Sequence, residues 1–150
     1  MKTIRTALLL ILSLAMLPVF AADDPADAVA LVKKGLVYLK SNGNDALIKS
    51  INRHDPEFIK GDIYLAIRSI DGTTLAHPNN PKLIGKNLRP LPDADGKLFR
   101  NEIIQVAQSK GSGWVDYRYN NPVTHEIEKK SIYLEKSGDI ILEAGIYKGK

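Results

Sequence analysis

The sequence predicts an α+β domain, an antiparallel sheet packed by helices. Two observations carry this. Apolar residues recur at helical spacing in three stretches, two adjacent near residues 25–52 and one near 99–107. Between and after them run alternating segments joined by turn residues: Asp71-Gly72, Asn121-Pro122 and Ser137-Gly138.

The first element reads as a helix. Asp24 can cap it, Pro25 suits its first turn, and Asp27 adds negative charge there. Val29, Val32, Leu36 and Leu39 form one apolar face, and Ser41-Asn42-Gly43 stops it. A second short helix turns Leu47, Ile48 and Ile51 inward and ends at His54-Asp55-Pro56. The period then changes to two. Ile63, Leu65 and Ile67 alternate with Tyr64, Ala66 and Arg68, and Thr73 to His77 forms the returning strand. Pro78 to Pro92 reads as a long ordered loop, and such loops are often functional. Asp93 to Gly96 is another turn. Phe99, Ile103, Val106 and Ala107 mark a third helix, ended by Gly111 to Gly113. Three strands finish the domain: 114–119, 126–136 and 140–147.

The N-terminal stretch has a different composition. Lys2 and Arg5 precede an apolar run from Ala7 to Leu17, followed by Pro18 and the small-residue site Val19-Phe20-Ala21. This is the layout of a secretory signal peptide over residues 1–22, cleaved after Ala21 or Ala22, with residues 23–150 as one domain. An uncleaved leader kept as an anchor is the alternative. The run is shorter than the roughly 20 residues that span a bilayer. The expectation is a periplasmic or secreted protein without a membrane span in its mature form.

Composition excludes several chemistries. The chain has no cysteine, hence no disulfide, no thiolate nucleophile, no Cys-ligated zinc and no c-type haem attachment. The net charge of +4 includes the leader's Lys2 and Arg5, and the remaining charges are scattered, so nucleic acid is not expected as a partner. His54, His77 and His125 lack metal-ligand spacing, and Asp93 with Asp95 gives only a fragment of a calcium loop. No nucleophile elbow or phosphate-cradling glycine loop is present. Neither metal, cofactor nor enzymatic activity is expected.

The sharpest local clue is Lys130. It has the strand parity of Ile132 and Leu134, whereas Lys129, Ser131 and Tyr133 have the other. If Ile132 and Leu134 face the core, Lys130 is drawn inward, and a buried ammonium requires a partner such as a carboxylate. The alternative is a stem along the sheet with the charge in water. His77, at a strand end before the long loop, can donate to a carboxylate and ordinarily titrates near physiological pH; equally, it can bond loop backbone. Arg68 shares the parity of Tyr64, with an exposed strand arginine as the simpler reading.

The order of elements, together with particular residues, resembles the single Cache domain family. The matching segments include Phe58 with Gly61-Asp62-Ile63-Tyr64, Asp71-Gly72-Thr73-Thr74-Leu75-Ala76-His77-Pro78 and Leu83-Ile84-Gly85-Lys86-Asn87. They continue through Asp95-Gly96-Lys97, Gly113-Trp114-Val115-Asp116-Tyr117, Lys129-Lys130 with Tyr133, and Ala144-Gly145-Ile146-Tyr147. The resemblance covers nearly all of the chain after the leader. It implies a PAS-like fold, with a long N-terminal helix and a central antiparallel sheet. It implies a non-catalytic extracellular sensor that binds a short organic carboxylate of the acetate, propionate or pyruvate class. It implies that Lys130 and Tyr133 line the ligand pocket, and it raises Tyr64, Trp114 and Tyr117 beside His77. Tyr133 has the wrong parity to join Lys130 unless a bulge or twist intervenes. Family members mostly sit between two transmembrane helices of receptors, kinases or cyclases. This chain carries no second such segment, so the expected partners are a small organic anion and a membrane receptor, histidine kinase or transporter. A fold kept as an interaction module without ligand is the alternative.

Overall fold

A computed structural model describes residues 24–148. The leader expected over residues 1–22 lies outside them. Helix α1 (Pro25–Asn42) begins where the Asp24 carboxylate accepts the Ala26 N–H at 2.9 Å. It ends at Gly43, whose φ of 84° turns the chain into helix α2 (Asn44–Asn52). A one-turn 3-10 segment, Pro56–Phe58, leads into the two-residue strand β1 (Ile59–Lys60), neither of which the sequence pattern revealed. Then come β2 (Ile63–Ser69), β3 (Thr74–Ala76), helix α3 (Phe99–Lys110), and the meander β4 (Ser112–Asn120), β5 (Ile127–Ser137) and β6 (Ile140–Lys148). Gly111 ends α3 at φ 77°, but Gly113, expected in the terminator, already belongs to β4. A Cβ there would lie 2.8 Å from Val106, so the glycine lets α3 fold back closely on its own strand.

The sheet is antiparallel, in the order β1-β2-β6-β5-β4, with β3 also paired to β2. The last strand thus inserts beside β2 at the centre. The fold is α+β, as the periodicities predict.

Helices cover both faces. On one, α1 and α2 pack Ala28, Val32, Leu47 and Ile51 onto Leu65, Ile67, Leu142 and Ala144. On the other, α3 packs Phe99, Ile103 and Ala107 onto Val115, Ile132, Leu134 and Ile141. Burial of such side chains stabilises the fold by roughly 1.5–3 kcal/mol each. The long loop is held at several points. Gly85 N–H donates to Thr74 O, Thr74 N–H to Lys86 O, and the Asn87 amide to Asp71 O, at 2.8, 3.0 and 2.9 Å. A 3-10 turn at Pro81–Leu83 interrupts it.

Candidate functional site

Strand register places the site. Residues directly opposite one another in an antiparallel pair share a face. Tyr117, Lys130 and Tyr147 therefore form one row across β4, β5 and β6, on the α3 side. Ile132 lies opposite Gly145 in the next row. A Cβ on Gly145 would stand 2.5 Å from Ile132 Cγ2 and 2.9 Å from Lys130 Cε. The missing side chain leaves room for the lysine stem to lie over β6.

Lys130 is 2% exposed, so its ammonium does not reach water. Its Nζ donates to Tyr64 Oη at 3.0 Å and to Tyr147 Oη at 3.1 Å. The ammonium also lies 4.1 Å from the Tyr64 ring centre and 4.4 Å from that of Tyr147, within cation–π range. Tyr147 Oη in turn donates to Asn120 O at 2.9 Å. Burial raises the phenols of Tyr64, Tyr117, Tyr119 and Tyr147, so all four remain neutral donors.

Beyond Lys130 the chain buries more charge. Arg68 is not an exposed strand arginine: it is 8% exposed and meets Glu143, itself buried, with Nε to Oε1 at 2.7 Å and Nη2 to Oε2 at 3.3 Å. Burial works to lower Arg68, but the charge and hydrogen bonds of Glu143 outweigh it and hold the guanidinium raised. The third nitrogen, Nη1, is buried with no hydrogen-bond partner. Arg100, from the first turn of α3, is buried too; its Nη1 donates to Leu91 O at 3.1 Å and its guanidinium lies 4.2 Å over the Phe99 ring. Burial and the nearby Arg68 lower it.

These groups enclose a cavity of about 30 Å³. Arg68, Arg100, Lys130 and Glu143 line it with Tyr64, Tyr117, Tyr119, His77 and Thr74; Leu83 of the long loop and Phe99 of α3 add apolar wall. Tyr117 stacks on Phe99 at 3.9 Å, which fixes both rings. Three of the described lining residues are cationic and one is anionic. A cavity of that charge suits an anion.

His77 lines the cavity and bonds the loop backbone, the second of the two readings for it. Its Nδ1 accepts the Asn80 N–H at 3.0 Å, which places the ring proton on Nε2. Its expected titration near neutrality is corrected. Burial, then the charges of Lys130 and Arg68, push it from 6.5 down to about 3, so His77 is neutral.

The structure brings together Tyr64, His77, Tyr117 and Lys130 and leaves out Tyr133 and Trp114. The β4–β5 and β5–β6 registers run without a bulge, so Tyr133 stays on the α1 side, where its hydroxyl donates to Glu135 at 3.1 Å. Trp114 is directly opposite it, rings 5.5 Å apart, and is 40% exposed. Among the described residues no cluster could hold a metal ion, and no helix is long and apolar enough to cross a membrane.

The comparisons with known proteins agree with this architecture. The family model for single Cache domain 2 matches residues 44–147. Over 88 residues the chain is 32% identical to the methyl-accepting chemotaxis protein McpP of Pseudomonas putida, a match covering 57% of this chain and 16% of that protein. A Cache chemosensory domain, solved for the structural basis of its carboxylic acid recognition, superposes with TM-score 0.65 at 25% identity, covering 83% of this chain and 88% of that one. A methyl-accepting chemotaxis protein from Vibrio parahaemolyticus superposes with TM-score 0.71 at 22% identity, covering 81% and 86%. A periplasmic sensor domain of a chemotaxis protein gives 0.64 at 22%, covering 83% and 90%. The last two show the shared fold.

Proposed function

The chain belongs to the single Cache domain 2 family, and from that premise we propose that it binds a short organic carboxylate, of the acetate, propionate or pyruvate class, in the cavity between α3 and the sheet. The observation that carries this reading is Arg68 Nη1, a charged donor in the cavity wall, buried and without a partner. A buried donor left unsatisfied costs about 1–3 kcal/mol. A carboxylate oxygen there removes that cost and gains a charge-assisted bond. Arg100, the Lys130–tyrosine cluster and the neutral Nε2–H of His77 supply further donors around it.

In this reading the protein is a sensor rather than a catalyst. Its N-terminal layout supports export, and it presents its ligand to an envelope partner such as a chemoreceptor, a histidine kinase or a transporter. The recognition of carboxylic acids by one related Cache domain supports the ligand class.

A second reading rests on one observation. The cavity, about 30 Å³, has room for little more than one water. An interaction module that has kept the fold without a ligand fits that volume as it stands. A carboxylate requires the wall to part, and Leu83 is the member of that wall contributed by the long loop.

Calorimetry with acetate, propionate and pyruvate separates the two. Carboxylate binding predicts a saturable single site and a melting temperature that rises with ligand concentration. Arg68→Lys keeps the charge but loses the fork, and is expected to weaken binding at least tenfold, about 1.4 kcal/mol. Absence of heat and of any thermal shift across the series leaves the interaction module standing.

A further inference from the structure

Tyr64, His77 and Tyr119 line both the inner cavity and a second space of about 190 Å³. Its outer walls have another chemistry. Asn79 and Asn80 line one side, from the turn after β3; Asn120, Pro122 and His125 line the other, from the β4–β5 hairpin. No lysine, arginine, aspartate or glutamate is among its described lining residues.

Both walls are tied to the inner cavity. Asn80 donates its backbone N–H to His77, and Asn120 accepts at its carbonyl from Tyr147, the phenol that holds Lys130. The hairpin is itself fixed. The Asn121 Oδ1 accepts the Val123 N–H at 2.8 Å, and its Nδ2 donates to Glu128 at 2.9 Å and to Asp62 at 3.2 Å. Arginine residues mark the inner space, the shared Tyr64 and Tyr119 stand between, and asparagine residues mark the outer one.

We infer that the ligand has two ends: a carboxylate held inside, and a short uncharged hydrogen-bonding end, a hydroxyl or a primary amide, seated in the outer space. This rests on the carboxylate reading and extends its ligand beyond acetate and propionate, which have no such second end. A charged outer end would find no lysine, arginine, aspartate or glutamate among the described lining residues, and charge taken from water without a partner is costly. An amide or hydroxyl needs donors and acceptors together, which asparagine side chains provide. A site built to hydrogen-bond a group discriminates strongly against the analogue that lacks it.

The test compares anions that share a carboxylate and differ in the tail: butyrate, 4-hydroxybutyrate, the monoamide of succinate, and succinate, with propionate as the tail-less reference. On the whole protein, the hydroxyl or amide tail is expected to bind at least tenfold more tightly than butyrate. Asn80→Leu should remove most of that preference and leave propionate affinity within about twofold. Asn120→Ala provides a second variant if the first melts early. Equal binding of butyrate and its tailed analogues overturns the inference. So does a preference for succinate, or a tail preference that neither variant alters. In each of those cases, propionate binding shows that the carboxylate reading still stands. A protein that binds none of the five loses both.

Discussion

The two faces of the sheet differ in what they bury. On the α1 side, Leu65, Leu142 and Ala144 meet an apolar helix surface. On the α3 side, an apolar cluster around Ile103 and Leu134 fills one part, and every buried charged side chain among the described residues fills the other: Arg68, Arg100, Lys130 and Glu143. Apolar burial is favourable by itself, whereas a buried charge must be paired even to approach break-even. The first face is therefore explained by stability. The second is not, because aliphatic side chains of similar volume would hold the sheet at least as well. Two adjacent residues of β6 carry the contrast, Leu142 on one side and Glu143 on the other.

That contrast is broken most directly at Arg68 and Glu143. Glu143→Leu leaves Arg68 without its only anionic partner in the cavity wall, and the expected loss is about 3–5 kcal/mol of unfolding free energy. The double change Arg68→Met with Glu143→Leu should recover most of it. Leu142→Ala is expected to cost a comparable 2–5 kcal/mol through a cavity, yet to leave carboxylate affinity unchanged. Urea unfolding of the four proteins measures this. A double variant no more stable than Glu143→Leu would mean that the pair stabilises the fold in its own right.

Lys130 and Lys129 sharpen the comparison at one position. Lys130→Ala is expected to weaken carboxylate binding about thirtyfold, roughly 2 kcal/mol, while Lys129→Ala, on the exposed side, changes little. Equal affinities for wild type and Lys130→Ala would return the lysine to a structural role among its tyrosines.

Per unit of pH, the acid response is the smallest of these effects. His77 is held near 3 in the folded protein against 6.5 ordinarily, so the folded state binds fewer protons than the unfolded chain between those values. Its neutral burial costs nothing above pH 6.5. Stability falls as pH drops from 6.5 towards 3, by at most about 1.4 kcal/mol per unit. His77→Gln should flatten that slope in thermal melts between pH 7 and 5. An unchanged slope would place the acid sensitivity elsewhere.

The fold was legible because its elements are locally consistent: capped helices, alternating strands and glycine turns. The inward parity of Lys130 was legible, since Ile132 and Leu134 fixed which side is inside, but parity left open whether its ammonium reached water, and family likeness tipped the reading towards the pocket. Arg68 has the same kind of signal beside Tyr64, yet it reads as a surface residue. What buries it is Glu143, 75 positions away, and a long-range ion pair leaves no mark in local pattern. Arg100 is similarly hidden, since an arginine in a first helical turn carries no signature of burial. Tyr133 and Trp114 show the opposite failure. Family likeness drew them towards the pocket, while strand alternation kept them on the far face, and alternation prevailed because β5 runs without a bulge.

Gly35 gives the molecule a mechanical property. A Cβ at that position would lie 2.6 Å from Leu65 and 2.9 Å from Leu142, so the backbone of α1 rests on these two side chains. Leu65 follows Tyr64 in β2, and Leu142 precedes Glu143 in β6. The residues that bear the helix and those that wall the cavity are thus chain neighbours, back to back through one thickness of sheet. Close-packed interiors are stiff and transmit displacement rather than absorb it. With no side chain on Gly35, the helix axis lies directly against the two strands that carry Tyr64 and Glu143.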